Sequence, residues 1–275
     1  MPNPPVFDPL LAAYLDNAKL AETYDHYFSD YPLFEYDCLY LESALELPRP
    51  AGDNYLVLDL GCGTGRHLEL VARQGGLAVG MDLNPHMLDK ARERLARQYI
   101  TLAPSATAPD PARPVLLVKA DIRQLPLPEN LVFDAAILMF STLGLVYSPE
   151  ERQRLLRLVR SRLQPTGRLV IHAHNEKRYQ NFVPRLSRPY LQELKLRAAG
   201  RLDAGDHLQR KYRGVLDLRL HYFTSEELLE LVKASGYRLL DFTYLNEART
   251  GKYHGADREE NANGFLLTAE PTQPD

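Results

Sequence analysis

A chain of 275 residues, 45% apolar and 25% charged, has the length and apolar content for one large domain with a substantial core. Its net charge of -3 excludes a globally basic nucleic-acid binder, and its two cysteines, Cys38 and Cys62, exclude a disulfide framework or a four-cysteine zinc site. The start Met1-Pro2-Asn3-Pro4-Pro5 lacks the basic-then-apolar pattern of a signal peptide, and no apolar run approaches the ~20 residues of a membrane span, so the expected location is the cytoplasm.

In chain order, residues 8–47 are expected to be helical, with apolar positions such as Leu10, Leu11, Tyr14 and Leu15, then Leu39, Leu41, Leu45 and Leu47. Tyr24, Tyr27, Tyr31, Tyr36 and Tyr40 crowd this segment, either as half-buried packing or as part of a lid over a ligand. Pro48 to Asn54 is a break. Leu56-Val57-Leu58-Asp59-Leu60 then reads as a strand covered on both faces, and glycines at 61, 63 and 65 turn it into a helix over Arg66 to Gln74. The first N–H groups of that helix face whatever the turn holds. Leu77 to Asp82 is a second strand, and Asn84-Pro85 caps a helix to about Gln98. Residues 100–114 form a surface loop, Val115 to Val118 a third strand ending near Asp121, and Leu131 to Met139 a fourth, followed by Phe140-Ser141-Thr142-Leu143-Gly144. Ser148-Pro149-Glu150-Glu151 starts a helix that runs to Leu163, and Arg168 to His174 is a fifth strand. This alternation predicts a parallel α/β sheet with right-handed crossovers.

Residues 176–219 break the rhythm, carrying eleven Lys and Arg against five Asp and Glu, a local charge of +6. Tyr179, Phe182, Tyr190 and Tyr212 interleave the cations. The segment is either a solvated helical face or a basic cap that attracts an anionic acceptor. Thr224-Ser225-Glu226-Glu227 starts another helix, Tyr237 to Leu245 and Gly264 to Ala269 are closing strands, and 246–263 is a polar surface connection between them.

Three ligand classes use a strand, glycine turn and helix, and spacing separates them. A phosphate-binding loop ends in Gly-Lys-Ser/Thr, which Gly65-Arg66-His67 does not supply. Dinucleotide folds place the third glycine at the sixth position, here occupied by Arg66. The pattern Asp59-Leu60-Gly61-Cys62-Gly63-Thr64-Gly65 instead resembles motif I of class I S-adenosylmethionine-dependent methyltransferases, and the order of elements follows that family closely over 55–175 and loosely over 220–270. The resemblance implies a Rossmann-like α/β fold with a mainly parallel seven-stranded sheet in a single domain. The N-terminal helices 8–47 would be its lid, 55–175 the cofactor-binding core, 176–219 an inserted cap, and 220–270 the closing helix and strands.

It also implies S-adenosylmethionine as cofactor. The glycine loop with Cys62 would receive its methionine end, and Asp59 would orient the ammonium. Asp82, with Leu83 beside it, would take the ribose hydroxyls, and Asp121 the adenine amino group with Ile122 against the ring. Met139 and Phe140 would form the floor by the sulfonium, with Tyr24 above. Adjacent hydroxyls suit a bidentate carboxylate acceptor, and the three acids fall at carboxyl ends of successive strands, where open α/β sheets bind ligands.

The methyl acceptor must lie across from the cofactor. His174, Asn175 and His221 are the candidate acceptor-facing catalytic residues, with Ser141, Arg213 and Tyr222 as substrate contacts. Strand alternation puts His172 and His174 on one face. His221-Tyr222-Phe223 loosely resembles the stretch before the last helix of wobble-uridine tRNA methyltransferases. The dispersed histidines lack metal-ligand spacing, so no metal is expected. A small anionic metabolite is the expected acceptor. An RNA acceptor and a non-catalytic cofactor-binding module are the alternatives.

Overall fold

The computed structural model describes residues 17–27, 32–50, 53–104, 107–182, 188–209 and 218–272. Leu10, Leu11, Tyr14, Leu15, Tyr31, Tyr212 and the candidate substrate contact Arg213 lie outside them.

Seven strands form one sheet in the order β3-β2-β1-β4-β5-β9-β8: β1 Leu56–Leu60, β2 Leu77–Asp82, β3 Val115–Lys119, β4 Phe133–Leu138, β5 Leu163–His174, β8 Tyr237–Tyr244 and β9 Gly264–Pro271. The first five pair in parallel, and β9 runs antiparallel between β5 and β8. Every residue of β1 and β2 is buried, as required of strands covered by helices on both faces. Alternation sorts the core onto the two sides of the sheet. Leu58, Ala136 and Ile171 enter one apolar cluster, whereas Val57, Ala135 and Val170 enter the other.

The helices begin where capping chemistry places them. Asn84 Oδ1 accepts from His86 N at 2.9 Å and from Met87 N at 3.4 Å ahead of the helix Pro85–Arg97. Ser148 Oγ accepts from Glu151 N at 3.3 Å ahead of Pro149–Arg160, and Thr224 Oγ1 from Glu227 N at 3.1 Å ahead of Ser225–Ala234.

One expectation is revised, and three segments gain detail. The helix expected to reach Leu163 ends at Arg160, because Leu163 pairs with Phe133 and opens β5 before the Pro165-Thr166-Gly167 turn. Within 8–47 the described helices are Ala18–Tyr27 and Leu33–Ala44. Residues 176–219 hold helices Glu176–Phe182 and Arg188–Ala198 and a hairpin of β6 Asp206–Gln209 with β7 Leu218–His221. The 246–263 connection contains a helical turn, Arg258–Asn261. Among the described residues, no helix is long and apolar enough to cross a membrane.

Candidate functional site

β1 has β2 on one side and β4 on the other, so the chain leaves in opposite directions from this point and opens a crevice at the strands' carboxyl ends. The glycine turn sits there. Gly61, Gly63 and Gly65 all have positive φ, between 52° and 78°. A Cβ on Gly61 would come within 2.7 Å of Thr142 Cγ2, whereas one on Gly63 would meet nothing within 4 Å and would project into open space. The turn is therefore a cradle whose floor is backbone.

The N-terminal helices clamp this turn. Thr64 Oγ1 donates to Asp25 Oδ1 at 2.6 Å, and Asp25 also pairs with Arg94 at 2.7 Å. Arg66 reaches Asp37 with two parallel bonds of 2.6 and 2.8 Å and lies 3.8 Å over the Phe34 ring. Burial would raise the Asp37 pKa, but His67 and Arg66 beside it hold the carboxyl well below the usual range. Tyr24 packs with Leu20, Ala21 and Met87 on the same helix pair.

Asp82 and Asp121 line the crevice, and Asp59 is buried in β1. Asp59 is 1% exposed, its Oδ2 has no hydrogen-bond partner, and burial pushes its carboxyl up to about 8 against the lowering pull of Arg66. Asp82 accepts from Gly63 N through Oδ2 and from Asn84 N through Oδ1, each at 2.9 Å, and burial raises its pKa against these bonds. Asp121 is held bidentately by Arg123 at 2.6 to 3.0 Å. A cavity is walled by Gly61, Asp82, Leu83, Asp121, Ile122 and Val146. Cys62 is buried, and its Sγ would lie 3.0 Å from a Cβ on Gly80, so it fills space between the turn and β2.

Across the crevice, Phe140 and Ser141 follow β4 with positive φ of 52° and 64°, a conformation that costs a non-glycine residue about 1–2 kcal/mol and is held here by surrounding contacts. The Phe140 ring lies 5.4 Å from Phe34 and 6.2 Å from both His172 and His174. Tyr222 stacks on His174 at 5.2 Å. His172 is fully buried with both ring nitrogens unpartnered. Burial and the adjacent His174 push its pKa down to about 3, and burial with Arg249 pushes that of His174 down to about 4, so both imidazoles are neutral.

Three acceptor-side expectations need correcting. Asn175 does not face the crevice: its amide donates to the carbonyls of Glu259 and Ala262 at 2.9 Å each, and its Oδ1 accepts from Lys177 N, so it ties the insertion to the 246–263 connection. Ser141 is 1% exposed and its Oγ accepts from His174 N at 3.2 Å, supporting the strand end rather than a substrate. His221 is buried between Asp206 at 2.9 Å and Glu227 at 2.8 Å, with both ring nitrogens used. A carboxylate on each nitrogen favours the protonated ring. Although burial opposes it, the pKa of His221 is therefore raised.

Residues 57–167 match the methyltransferase domain family. A dTDP-3-amino-3,4,6-trideoxy-alpha-D-glucopyranose N,N-dimethyltransferase of Streptomyces venezuelae is 32% identical over 42% of this chain and 40% of its own length. A carboxy-S-adenosyl-L-methionine synthase of Trichodesmium erythraeum is 27% identical over 67% of this chain and 66% of its own. The chain thus spans less than two thirds of the length of either relative. The solved CcbJ methyltransferase of Streptomyces caelestis superposes with a TM-score of 0.64 over 95% of this chain and 98% of its own, at 19% identity, a likeness of fold. Residues 57–167 are thus similar to methyltransferase domains, and the fold around them is one that solved methyltransferases share.

The family's cofactor fits the residues present. Asp59 Oδ2 is a buried acceptor without a donor, the position an ammonium group would fill, and the space beyond Gly63 is open. The Asp82 carboxylate, held by backbone N–H groups that include Gly63 and Asn84, has four lone-pair sites, enough to accept a hydroxyl as well. Two buried charged residues have no counterpart in the expectations: Asp37 is the partner that keeps Arg66 buried, and Arg152 is a buried cation outside the glycine-turn cavity. Arg152 carried a signal, since it shares helical spacing with Leu155, Leu156 and Val159 on the face turned to the core.

Proposed function

We propose that this methyltransferase transfers a methyl group from S-adenosylmethionine to a small anionic metabolite held at the carboxyl end of β5. The cofactor supplies an electrophilic methyl carbon on a sulfonium. Displacement at that carbon needs alignment of donor and acceptor more than it needs a base. Asp59 would hold the ammonium, Asp82 with Leu83 beside it the ribose hydroxyls, and Asp121 with Ile122 the adenine, while Met139 and Phe140 would form the floor by the sulfonium. The N-terminal helices act as the lid and 176–219 as the cap.

The observation that carries the acceptor side is the His172–His174 pair, whose rings lie 5.2 Å apart in an aromatic wall and are both kept neutral. Neutral imidazoles offer one donor and one acceptor each, which orients a polar substrate without placing a second cation against the sulfonium. Arg249, which lowers the His174 pKa, supplies the positive potential that favours an anion. The Streptomyces venezuelae relative, named for a dTDP-linked amino sugar, accords with a small anionic acceptor.

Labelled methyl transfer, run separately on small-molecule, RNA and protein fractions of a cell extract, tests this reading. Label is expected in the small-molecule fraction and is expected to fall at least tenfold with His174→Ala. Label confined to RNA would overturn the acceptor class. Absence of transfer in every fraction would overturn the enzymatic reading.

A further inference from the structure

A second cavity of about 630 Å³ opens between the insertion and the first turn of the helix Pro149–Arg160, with Arg152, Tyr179, Tyr190, Arg197, His207 and Glu227 among its lining. A volume of this order suits a small molecule. The decisive residue is Arg152. Its side chain is 1% exposed, and only Nη1 has a hydrogen-bond acceptor, the Val146 carbonyl at 3.1 Å. Nε and Nη2 have none. Those two nitrogens form one edge of the guanidinium, the fork that matches two oxygens of a carboxylate or phosphate. Leaving buried donors unpaired is costly, more so when they are charged, so the bare edge calls for an acceptor.

The surrounding acids are committed elsewhere. Glu227 comes only to 3.8 Å of Nη2, and its Oε1 already receives His221 Nε2 at 2.8 Å. Glu176 takes His207 Nε2 at 2.6 Å on one oxygen and Gln180 Nε2 at 2.6 Å on the other. Asp203 faces Arg219 at 3.6 Å. His207 also meets Glu193 at 2.9 Å, and the two carboxylates raise its pKa and favour the protonated ring, with Arg197 close by, 3.6 Å from Glu193. Each cavity carboxylate has its own cation, and the Arg152 edge is left over. Tyr179 and Tyr190 add apolar faces on which the body of a ligand can lie.

We propose that this cavity binds a small molecule bearing an oxyanion, a carboxylate or a phosphomonoester, gripped side-on by Nε and Nη2 of Arg152. The site is distinct from the cavity at the glycine turn and shares with it the turn ending in Val146. It does not depend on what is methylated, so its failure would leave the reading of the reaction untouched.

The test is a titration of the full chain with inorganic phosphate and with succinate, each against sodium chloride at matched ionic strength, followed by thermal shift and by calorimetry. At least one oxyanion is expected to give a saturable response that chloride does not, and the responding arm identifies the source as phosphate or carboxylate. Arg152→Met is expected to weaken that response at least tenfold while S-adenosylhomocysteine binds as before, which shows that the fold is intact. Should Arg152→Met fail to bind S-adenosylhomocysteine, Arg152→Lys decides, because it keeps the charge and loses the fork; it too is expected to lose tenfold. No saturable response to either oxyanion in the unaltered protein, or an undiminished response in the deciding variant, would overturn the proposal.

Discussion

Cofactor binding should release a proton from Asp59. Burial holds this carboxyl up to about 8 in the free protein, and its Oδ2 lacks a partner, so at neutral pH the group is mostly protonated. An ammonium placed against it favours the ionised form, and binding and deprotonation are then linked. With only the ionised form competent, about half of the molecules are ready at pH 8 and about 1% at pH 6, so affinity should fall ~50-fold between those values. Calorimetric titration with S-adenosylhomocysteine in two buffers of different ionisation enthalpy reads the proton count directly, and it should approach one per site near pH 7. Asp59→Asn should bind weakly at both pH values and lose the slope. A flat profile from pH 6 to 8 with no proton release, or an unchanged slope in Asp59→Asn, would refute the assignment of Asp59 to the ammonium.

Further outcomes follow from the same geometry. Gly63→Ala should leave the melting temperature within a few degrees, costing about 1–2 kcal/mol for its left-handed backbone, yet abolish S-adenosylhomocysteine binding because its Cβ enters the cradle; Gly61→Ala, which meets Thr142 at 2.7 Å, should show the larger loss of stability. Arg66→Ala strands the buried Asp37 carboxylate and should cost about 3–5 kcal/mol by urea unfolding, and a cost near zero would refute the clamp. His207 and His221 are raised above the unfolded value of ~6.5, so their contribution is fully present below it and is lost as pH rises through their folded values. Proteolysis of the insertion should therefore accelerate from pH 6 to 9, and His207→Gln should flatten that rise. The depressed His172 and His174 act with the opposite sign, costing stability as pH falls from ~6.5 toward 4.

Local chemistry explains what could be read ahead of the structure. The β1 strand, its glycine turn and the Asn84-Pro85 helix start are each set by residues within one turn or strand of one another, and the observed elements fall within a few residues of their expected places. Alternation also placed His172 and His174 on one face correctly, next to Val170 in the same register. Asn175 and His221 show where local reasoning stops. Both are polar residues beside the crevice, but their partners, Glu259 and Ala262 for one and Asp206 and Glu227 for the other, arrive from elements whose approach no spacing encodes. The same holds for Asp37, whose carboxylate meets Arg66 only because the helix Leu33–Ala44 folds back over the glycine turn.

The charge of the insertion needs the structure to be read at all. Eleven cations against five acids suggested an external field that could draw a nucleic acid. Among the described residues, however, Arg178 pairs with Glu247, Lys177 with Glu259, Arg197 with Glu193, and Arg219 with Asp203 and Asp206. Two of those acids, Glu247 and Glu259, come from the acidic remainder of the chain rather than from the insertion. Those pairs reduce the field that their cations project beyond a Debye length of about 8–10 Å, and RNA affinity built on phosphate neutralisation needs cations that are free to exchange their partners. Two short-ranged, enclosed sources of positive charge are the dry edge of Arg152 and the potential of Arg249 at His174. Charges enclosed in this way accord with the proposed small anionic acceptor, and salt-sensitive retention of tRNA would refute that choice.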